Sequence, residues 1–367
     1  MRILGLGIVR SAYSFDVKLG SRDGTALVLD SNKHAWMWGP NNNGELGGNN
    51  IISRSSPVSV IGAHAFTLAT TGSQMSIGLK ANGEVWTWGN SFGFGSLGDN
   101  ANANRSSPVS VVGNHRFTSI STKGGTCLCL KSDGTVWTWG YNAFGQLGDN
   151  SISLRSSPVS VIGSHSFTKI SMGLDVSHGL KSNGSVWTWG NDIKGQLGRN
   201  TKNVNRSSPV SVVGNHIFVA IEGGASGAMG LKSDGTLWGW GEGANGRLGT
   251  NSIALASSPV PVVGAHSFIF VVAGNVFYLA LKVNGQAWGW GINSFGQLAQ
   301  NDIVDRSSPV QVVGNHSFIA ISARSSGAMG LKSTGEVWSW GYGTSGQVGD
   351  NAVISRSSPV LVAKVFT

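Results

Sequence analysis

The chain repeats one short phrase, Val136-Trp137-Thr138-Trp139-Gly140 followed by Gly145-Gln146-Leu147-Gly148, seven times with small changes. Each copy carries two tryptophans with one residue between them, and these pairs use all 14 tryptophans of the 367-residue chain. The pairs are Trp36 and Trp38, Trp86 and Trp88, Trp137 and Trp139, Trp187 and Trp189, Trp238 and Trp240, Trp288 and Trp290, and Trp338 and Trp340. Successive copies lie 50 or 51 residues apart. A fixed period of this length is typical of a propeller, a solenoid or another repeat array.

One repeat, such as residues 156–192, divides into four short apolar segments separated by turn residues. The first two segments are residues 158–162 and 167–171, the third ends in residues 179–181, and the fourth carries the tryptophan pair. The Asn183-Gly184 dipeptide before the tryptophan segment is a strong hairpin signal, because both central residues of such a turn need positive φ. The repeat therefore predicts a four-stranded antiparallel sheet.

The tryptophan strand predicts how the sheets pack. Residues two apart in a strand share one face, so both indoles project to one side and the Val and Thr positions around them project to the other. A sheet that is apolar on both faces must be covered on both, and radial stacking of similar sheets achieves this. We therefore predict an all-β fold, a seven-bladed β-propeller of four-stranded antiparallel blades, in which the 14 tryptophans are structural residues.

The two ends of the chain suggest how the ring closes. The repeat begins partway through a unit at Phe15 and ends on residues 357–362, which match the first segment of a new unit. This predicts that strands from the amino and carboxy termini pair to complete one blade, which would remove open edges. Residues 15–367 are then one propeller, and residues 1–14 are a leader or an extra strand.

Composition limits the function classes. Charged residues make up only 12% of the chain and the formal net charge is +9. The charge does not by itself predict a nucleic-acid binder, so nucleic acid is possible but not favoured. Sparse charge favours an extracellular or virion-associated protein slightly over a cytoplasmic one. No segment has the length and apolarity of a membrane span, so membrane insertion is not expected.

The phrase at residues 139–148, Trp-Gly-Tyr-Asn-Ala-Phe-Gly-Gln-Leu-Gly, resembles the signature of the regulator of chromosome condensation repeat family. The resemblance covers residues 15–367 and suggests a bacterial or viral type of member. It implies a seven-bladed propeller. The member that names the family is a chromatin-bound guanine nucleotide exchange factor, but one fold hosts many functions.

Antiparallel connections sort the loops onto two faces. One face, called the turn face here, repeats a histidine after the first strand and a lysine before the hairpin turn. The histidines are His64, His115, His165, His216, His266 and His316, and the lysines are Lys80, Lys131, Lys181, Lys232, Lys282 and Lys332. Equivalent residues of radial blades lie far apart, so no metal site is expected. We interpret the histidines as hydrogen-bonding turn residues and the lysines as a solvated ring.

The opposite face, called the loop face here, carries the loops that differ most between copies. They are residues 21–24, 71–74, 122–126, 172–176, 222–226, 273–277 and 322–326. Since loops commonly carry recognition residues, we predict a partner-binding site on this face. Its candidate residues are Lys123, Asp175, His178, Phe277, Tyr278 and Arg324. The alternative is that these are solvent-exposed loops whose sequences vary without a binding role. Repeated loop arginines are predicted to tie together loop carbonyls or Asp99, Asp149 and Asp350.

The sequence shows no arrangement that predicts catalysis, and Asp175 with His178 is the only acid and histidine pair within one loop. No catalytic residue and no cofactor are expected. The leading hypothesis is a non-enzymatic protein-binding or scaffold propeller. The alternatives are a structural or host-attachment component of a virion or extracellular assembly and, by family analogy, a nucleotide exchange factor or chromatin-binding protein. The partner and the oligomeric state stay open.

Overall fold

A computed structural model describes residues 25–362. These residues form seven antiparallel sheets that follow one another along the chain, the blades of a seven-bladed β-propeller. One 3-10 turn, Ala244–Gly246, lies within a loop. Over this part of the chain there is no helix with the length and apolarity to cross a membrane. Phe15, the leader at residues 1–14 and the variable loop at residues 21–24 lie outside the described residues.

The first four blades contain strands β1 to β15. Blade 1 has β1 (Ala26–Leu29), β2 (Ala35–Gly39) and β3 (Arg54–Ser59). Blade 2 has β4 (Phe66–Thr71), β5 (Met75–Lys80), β6 (Val85–Gly89) and β7 (Arg105–Ser110). Blade 3 has β8 (Ser119–Lys123), β9 (Thr126–Leu130), β10 (Val136–Gly140) and β11 (Arg155–Ser160). Blade 4 has β12 (Lys169–Met172), β13 (Val176–Leu180), β14 (Val186–Gly190) and β15 (Arg206–Ser211).

The last three blades contain strands β16 to β27. Blade 5 has β16 (Ala220–Gly223), β17 (Gly227–Leu231), β18 (Leu237–Gly241) and β19 (Ala256–Pro261). Blade 6 has β20 (Phe270–Ala273), β21 (Phe277–Leu281), β22 (Ala287–Gly291) and β23 (Arg306–Gln311). Blade 7 has β24 (Ala320–Arg324), β25 (Gly327–Leu331), β26 (Val337–Gly341) and β27 (Arg356–Leu361). Within each blade the strands pair in chain order, and the first strand of blades 2 to 7 lines the central channel.

The proline-containing strand belongs to the blade before the one that the sequence indicated. In β11, Val159 pairs with Thr138 of the tryptophan strand β10, so this strand is the outer edge of blade 3. Proline cannot donate to a backbone ladder, and an outer edge strand tolerates it. Residues after β11 then cross to the inner strand of the next blade. The unit boundary inferred from the sequence was therefore displaced by one strand.

This shift corrects the prediction for ring closure. The last strand, β27, pairs with β26 through Val360 and Ser339, and it completes blade 7 rather than blade 1. Among residues 25–362, no strand is shared between the first and last blades. Within the described residues, blades 1 and 7 meet by packing, since β1 shares a hydrophobic cluster with Met329, Leu331 and Val337 of blade 7. A hydrogen bond from Trp38 Nε1 to the Gln347 carbonyl, 3.0 Å long, crosses the same boundary.

The two tryptophans of a pair differ in burial, although the repeat pattern predicts one structural role for both. The first of each pair is only partly buried: Trp36, Trp86, Trp137, Trp187, Trp238, Trp288 and Trp338. The second is completely buried, with 0% of its surface exposed: Trp38, Trp88, Trp139, Trp189, Trp240, Trp290 and Trp340. The second tryptophans therefore form the packing layer between the blades, whereas the first ones reach the edge of that layer.

Hydrogen bonds also join the second tryptophans to the neighbouring blade. The Trp88 Nε1 donates to the Glu45 carbonyl of blade 1 at 2.8 Å, and the Trp240 Nε1 donates to the Gln196 carbonyl of blade 4 at 3.0 Å. Six blades share this bond to a loop of the preceding blade in the ring, at 2.8 to 3.1 Å.

Blade 4 is the exception to this indole bond. The Trp189 Nε1 has no partner, and the equivalent carbonyl, that of Gln146, accepts from Ser177 Oγ at 2.7 Å. Each second indole thus packs between neighbouring sheets, and six of the seven also join the sheets by a buried hydrogen bond.

Candidate interaction surface

The turn face carries the same three-residue stack in blades 2 to 7. The lysine ammonium lies 4.1 to 4.4 Å above the first tryptophan of the pair. The histidine ring lies 4.2 to 4.5 Å from the same indole. Burial lowers the pKa of each histidine, and the lysine charge lowers it further. The histidines therefore stack as neutral rings, rather than acting as the hydrogen-bonding turn residues that we expected, and the lysines are held in cation–π contacts.

On the loop face, the long loop between the third and fourth strands is held by an aspartate and an arginine. Nε and Nη2 of Arg155 both contact Asp149 Oδ2, at 2.9 and 2.7 Å. Arg105 with Asp99 and Arg356 with Asp350 repeat this geometry at 2.6 to 2.8 Å. The predicted structural role of these arginines is confirmed in blades 2, 3 and 7.

Lys123, the first candidate residue, lies across the central channel and not on the surface. It ends strand β8, and its Nζ donates to the carbonyls of Gly274 at 3.1 Å and Gly223 at 3.4 Å. These carbonyls belong to blades 6 and 5, so the side chain spans the channel from blade 3. Burial lowers the pKa of Lys123 to about 8, although the Glu222 carboxylate opposes this shift. Lys123 therefore closes the channel and joins three blades.

The channel itself is narrow and polar. Its lining includes Thr70, Ser121, Ser171 and Glu222, all from first strands. A volume of about 40 Å³ is open to the centres of water molecules, which is room for a few waters and too little for an organic ligand. The channel is therefore not a substrate pocket.

Arg324 occupies in blade 7 the place that Lys123 occupies in blade 3, and it is also buried. Its Nη2 donates to Ser339 Oγ and to the Trp340 carbonyl, both at 3.0 Å, and its Nη1 donates to the Gln347 carbonyl. Burial lowers its pKa to about 9. Because the Gln347 carbonyl also accepts from Trp38, Arg324 supports the closure of the ring.

Asp175 and His178 do not form the acid and histidine pair that their spacing suggested. His178 is fully buried in β13, neither ring nitrogen has a partner, and its pKa is lowered to about 3 by burial and by the Lys123 charge. Asp175 lies half-buried in the preceding loop, where burial raises its pKa to about 6. A general acid–base pair needs hydrogen-bond contact, which this arrangement lacks.

His178 replaces a large apolar residue. It pairs with Thr188, the residue between the two tryptophans of its blade. The residues with the corresponding pairing in the other blades are Leu27, Ile77, Leu128, Met229, Leu279 and Met329. A neutral imidazole therefore fills an apolar space in blade 4.

Phe277 and Tyr278 are also interior residues. Phe277 is fully buried in the cluster between blades 6 and 7. Tyr278 is 2% exposed, stacks on Trp290 at 6.1 Å, and has its pKa raised by burial. Five of the six candidates are therefore buried, and they shape the base of the loops rather than a contact surface.

The exposed feature of the loop face is a ring of apolar side chains on the long loops, which we call the apolar crown. Its members are aliphatic, 39 to 72% exposed, and come in pairs from six of the seven blades; the aromatic Phe295, 41% exposed, lies in the blade 6 loop beside them. They are Ile51, Ile52, Ile152, Leu154, Ile193, Val204, Ile253, Leu255, Ile303, Val304, Val353 and Ile354. Blade 2 is the exception, with Ala101, Asn102 and Ala103 in its long loop. Repeated exposed apolar residues on one rim mark an interaction surface.

The family of the chain follows from its sequence as well as its fold. The model of the RCC1-like domain matches residues 36–367, so the chain belongs to the RCC1-like domain family. Among curated relatives, human E3 ubiquitin-protein ligase HERC2 is 30% identical over 131 residues, 35% of this chain and 3% of that protein. The mitochondrial RCC1 domain-containing protein RUG3 of Arabidopsis thaliana is 28% identical over 118 residues, 31% of this chain and 26% of that protein. The matches thus span a small part of both relatives.

Solved structures share the architecture. Yeast RCC1 (Prp20), solved bound to Kap60, superposes with a TM-score of 0.80 at 19% identity, covering 96% of this chain and 85% of that one. Human WBSCR16 gives a TM-score of 0.80 at 18% identity, covering 90% and 94%. A second structure of Prp20p from Saccharomyces cerevisiae was described with its binding to Gsp1p and histones. At these identities the likeness shows the fold alone.

Among residues 25–362, no three His, Cys, Asp or Glu side chains lie close enough together to hold a metal ion. The loop face combines exposed apolar side chains with loops that differ between blades, a combination found in binding surfaces.

Proposed function

We propose that this chain is a non-enzymatic binding propeller that recognises a protein partner through its loop face. The apolar crown carries the proposal, because it places large exposed side chains on the same face as the loops that differ between blades. Large apolar side chains supply contact energy in protein interfaces, and the differing loops supply selectivity. The buried Lys123 and Arg324 hold the bases of the short loops in place through their hydrogen bonds.

One structural relative, yeast RCC1 (Prp20), was solved bound to Kap60 and described with its binding to Gsp1p and histones, which supports protein binding as the general role. The turn face offers less for such an interface. Its recurring exposed apolar residues, such as Ile61, Ile162 and Val213, are only 36 to 39% exposed, and its most exposed ones, Ile217 and Val283, have no large apolar counterpart in the other blades. Single exposed apolar residues are normal on soluble proteins.

The test is capture of the partner by the tagged chain from its native source, with cross-linking to locate the contact. A crown variant with Ile152→Ser, Ile253→Ser, Ile303→Ser and Val353→Ser should lose at least about tenfold in affinity, since each change removes buried apolar area from the interface. The matched control is Ile217→Ser with Val283→Ser on the turn face, which should bind normally. Full binding by a folded crown variant would contradict the proposal.

A further inference from the structure

The long loop of blade 4 departs from the aspartate and arginine pair that holds the same loop in other blades. In blade 3, this pair consists of Asp149, just past the middle of the loop, and Arg155, at the end of the loop. The corresponding residues of blade 4 are Arg199 and Arg206. Two arginines therefore stand where blades 2, 3 and 7 have one carboxylate and one guanidinium.

This change leaves buried donors without an acceptor. Nε of Arg155 donates to Asp149 at 2.9 Å, whereas the equivalent Nε of Arg206 is buried and has no partner. Nη1 of Arg199 is also buried and without a partner. A buried, unpaired donor on a charged group is costly, so the two atoms mark a place suited to an oxyanion.

The nearby Asp192 does not fill that place. Its Oδ1 accepts from the Leu197 backbone N–H at 3.0 Å, and its Oδ2 is buried without a partner. Burial raises the pKa of Asp192, and the charges of Arg199 and Arg206 only partly oppose this. Within the described chain, no ion pair joins Asp192 to either arginine.

The formal charge of the blade 4 loop also favours an anionic ligand. The blade 4 loop, residues 191–206, has four basic side chains and one acidic one, a formal charge of +3. In the other blades the equivalent loops are residues 40–54, 90–105, 141–155, 242–256, 292–306 and 342–356, and each has a formal charge of zero or −1. Lys194 contacts Glu242 of blade 5 at 3.6 Å, which leaves the two arginines and exposed Lys202 without a paired carboxylate. The rim of the loop face is thus basic at blade 4 alone.

We propose that the blade 4 loop binds a carboxylate of an acidic segment in the protein partner, between Arg199 and Arg206. The incoming glutamate or aspartate takes the role that Asp149 has in blade 3, and accepts from both guanidinium groups. Ile193 and Val204 of the apolar crown, 48% and 44% exposed, lie in the same loop. The preferred segment therefore combines acidic with apolar side chains. This inference rests on the proposed function and names the partner chemistry at one blade.

The probe is a short peptide that alternates leucine and glutamate, titrated against the full chain while the arginine Nε–Hε resonances are followed by NMR. We expect the Arg206 resonance to shift saturably, and a matched peptide with glutamine in place of glutamate to leave it unmoved. Added NaCl should weaken the binding of the glutamate peptide, because the contact is ionic. An Arg206 resonance that does not respond to the glutamate peptide overturns the proposal.

The internal repeat supplies control variants that keep the fold. Arg199→Asp restores the pair found in blades 2, 3 and 7, so it should melt no lower than the original chain and bind the peptide at least about tenfold more weakly. Asp149→Arg copies the blade 4 arrangement into blade 3 and should make the Arg155 resonance respond to the peptide. Asp192→Asn, which restores the residue found at Asn142, should bind at least as tightly. Unchanged peptide affinity in Arg199→Asp contradicts the proposal.

Failure here is distinguishable from failure of the proposed function. If the crown variant loses the captured partner while Arg199→Asp holds it with unchanged affinity, partner binding through the loop face stands and the blade 4 site is wrong. If the folded crown variant and Arg199→Asp both keep full affinity for the partner, both proposals fail.

Discussion

The turn face and the loop face of this propeller are built by the same seven sheets but follow opposite rules. On the turn face, a lysine, a tryptophan and a histidine stack in the same way in six blades. At the base of the loop face, where the short loops begin at the channel, equivalent positions hold Lys123 in blade 3, Arg324 in blade 7 and glycine in blades 2, 4, 5 and 6. A feature repeated in each blade serves packing that all blades share, whereas a departure in one blade needs a local reason.

The largest effect should come from a repeated position between the faces. Trp290→Ala removes a fully buried indole and its hydrogen bond to the Arg247 carbonyl, and should lower the free energy of unfolding by about 3 to 5 kcal/mol. Urea unfolding followed by circular dichroism measures this. Trp189→Ala is the matched control, and should cost about 1 kcal/mol less because the Trp189 Nε1 has no partner to lose. A change near zero in the free energy of unfolding of Trp290→Ala would contradict the interpretation that repeated positions hold the ring together.

A smaller effect is expected where blade 4 departs from the repeat inside the sheet. His178→Leu places the residue of blades 1, 3 and 6 in an apolar space and removes two buried, unpaired nitrogens, so the free energy of unfolding should rise by about 1 to 3 kcal/mol. The matched control, Leu128→His in blade 3, should be destabilising. Equal stability of His178→Leu and the original chain would mean that the imidazole has a partner in solution.

The same substitution has a pH signature. The folded pKa of His178 lies at about 3, below its unfolded value of about 6.5, so the unfolded chain binds one more proton between these values. The original chain should therefore lose stability as the pH falls from about 6.5 toward 3, and His178→Leu should lose less over that window. Melting temperatures of both proteins across this range measure the difference, and parallel curves would contradict the buried, neutral state of His178.

The smallest effect should come from the turn face. Lys282→Met keeps the length of the side chain over Trp288 but removes the cation that lies 4.3 Å from the ring, and should cost about 0.5 to 1 kcal/mol. Lys202→Met on the loop face has no ring contact and should leave the free energy of unfolding unchanged. Lys282→Met should also keep full partner affinity, and weaker binding would place part of the interface on the turn face.

The sequence predicted the number of blades, the division of loops between two faces and the ties from Arg105, Arg155 and Arg356 to their aspartates. These follow from periodicity and from alternation of strand direction, which a repeat displays directly. The strand boundary was wrong because a proline-containing strand can pair with the strand before it or the strand after it. The pairing of Val159 with Thr138 in the structure shows that this strand pairs with the tryptophan strand before it.

The candidate site shows a different limit. Differences between copies identified Lys123, His178, Phe277, Tyr278 and Arg324, but a difference does not say whether a side chain faces solvent, the channel or a neighbouring blade. The short variable loops begin at the channel, where the blades converge and space is smallest, so most of these side chains are enclosed. The sequence does carry a signal for the apolar crown, namely paired isoleucine, leucine or valine residues in long loops without strand alternation, as at Ile303 and Val304.

The boundary between blades 1 and 7 has a mechanical consequence. Among the described residues, each sheet is made from one uninterrupted stretch of chain, and the two end sheets meet through side chains, the Trp38 indole bond and the Arg324 contacts that share its acceptor. Side-chain packing yields to a small displacement, whereas the ladders within each blade must break several backbone bonds together. Under tension applied to blades 1 and 7, the ring should open at this boundary first, while the strands within each blade stay paired.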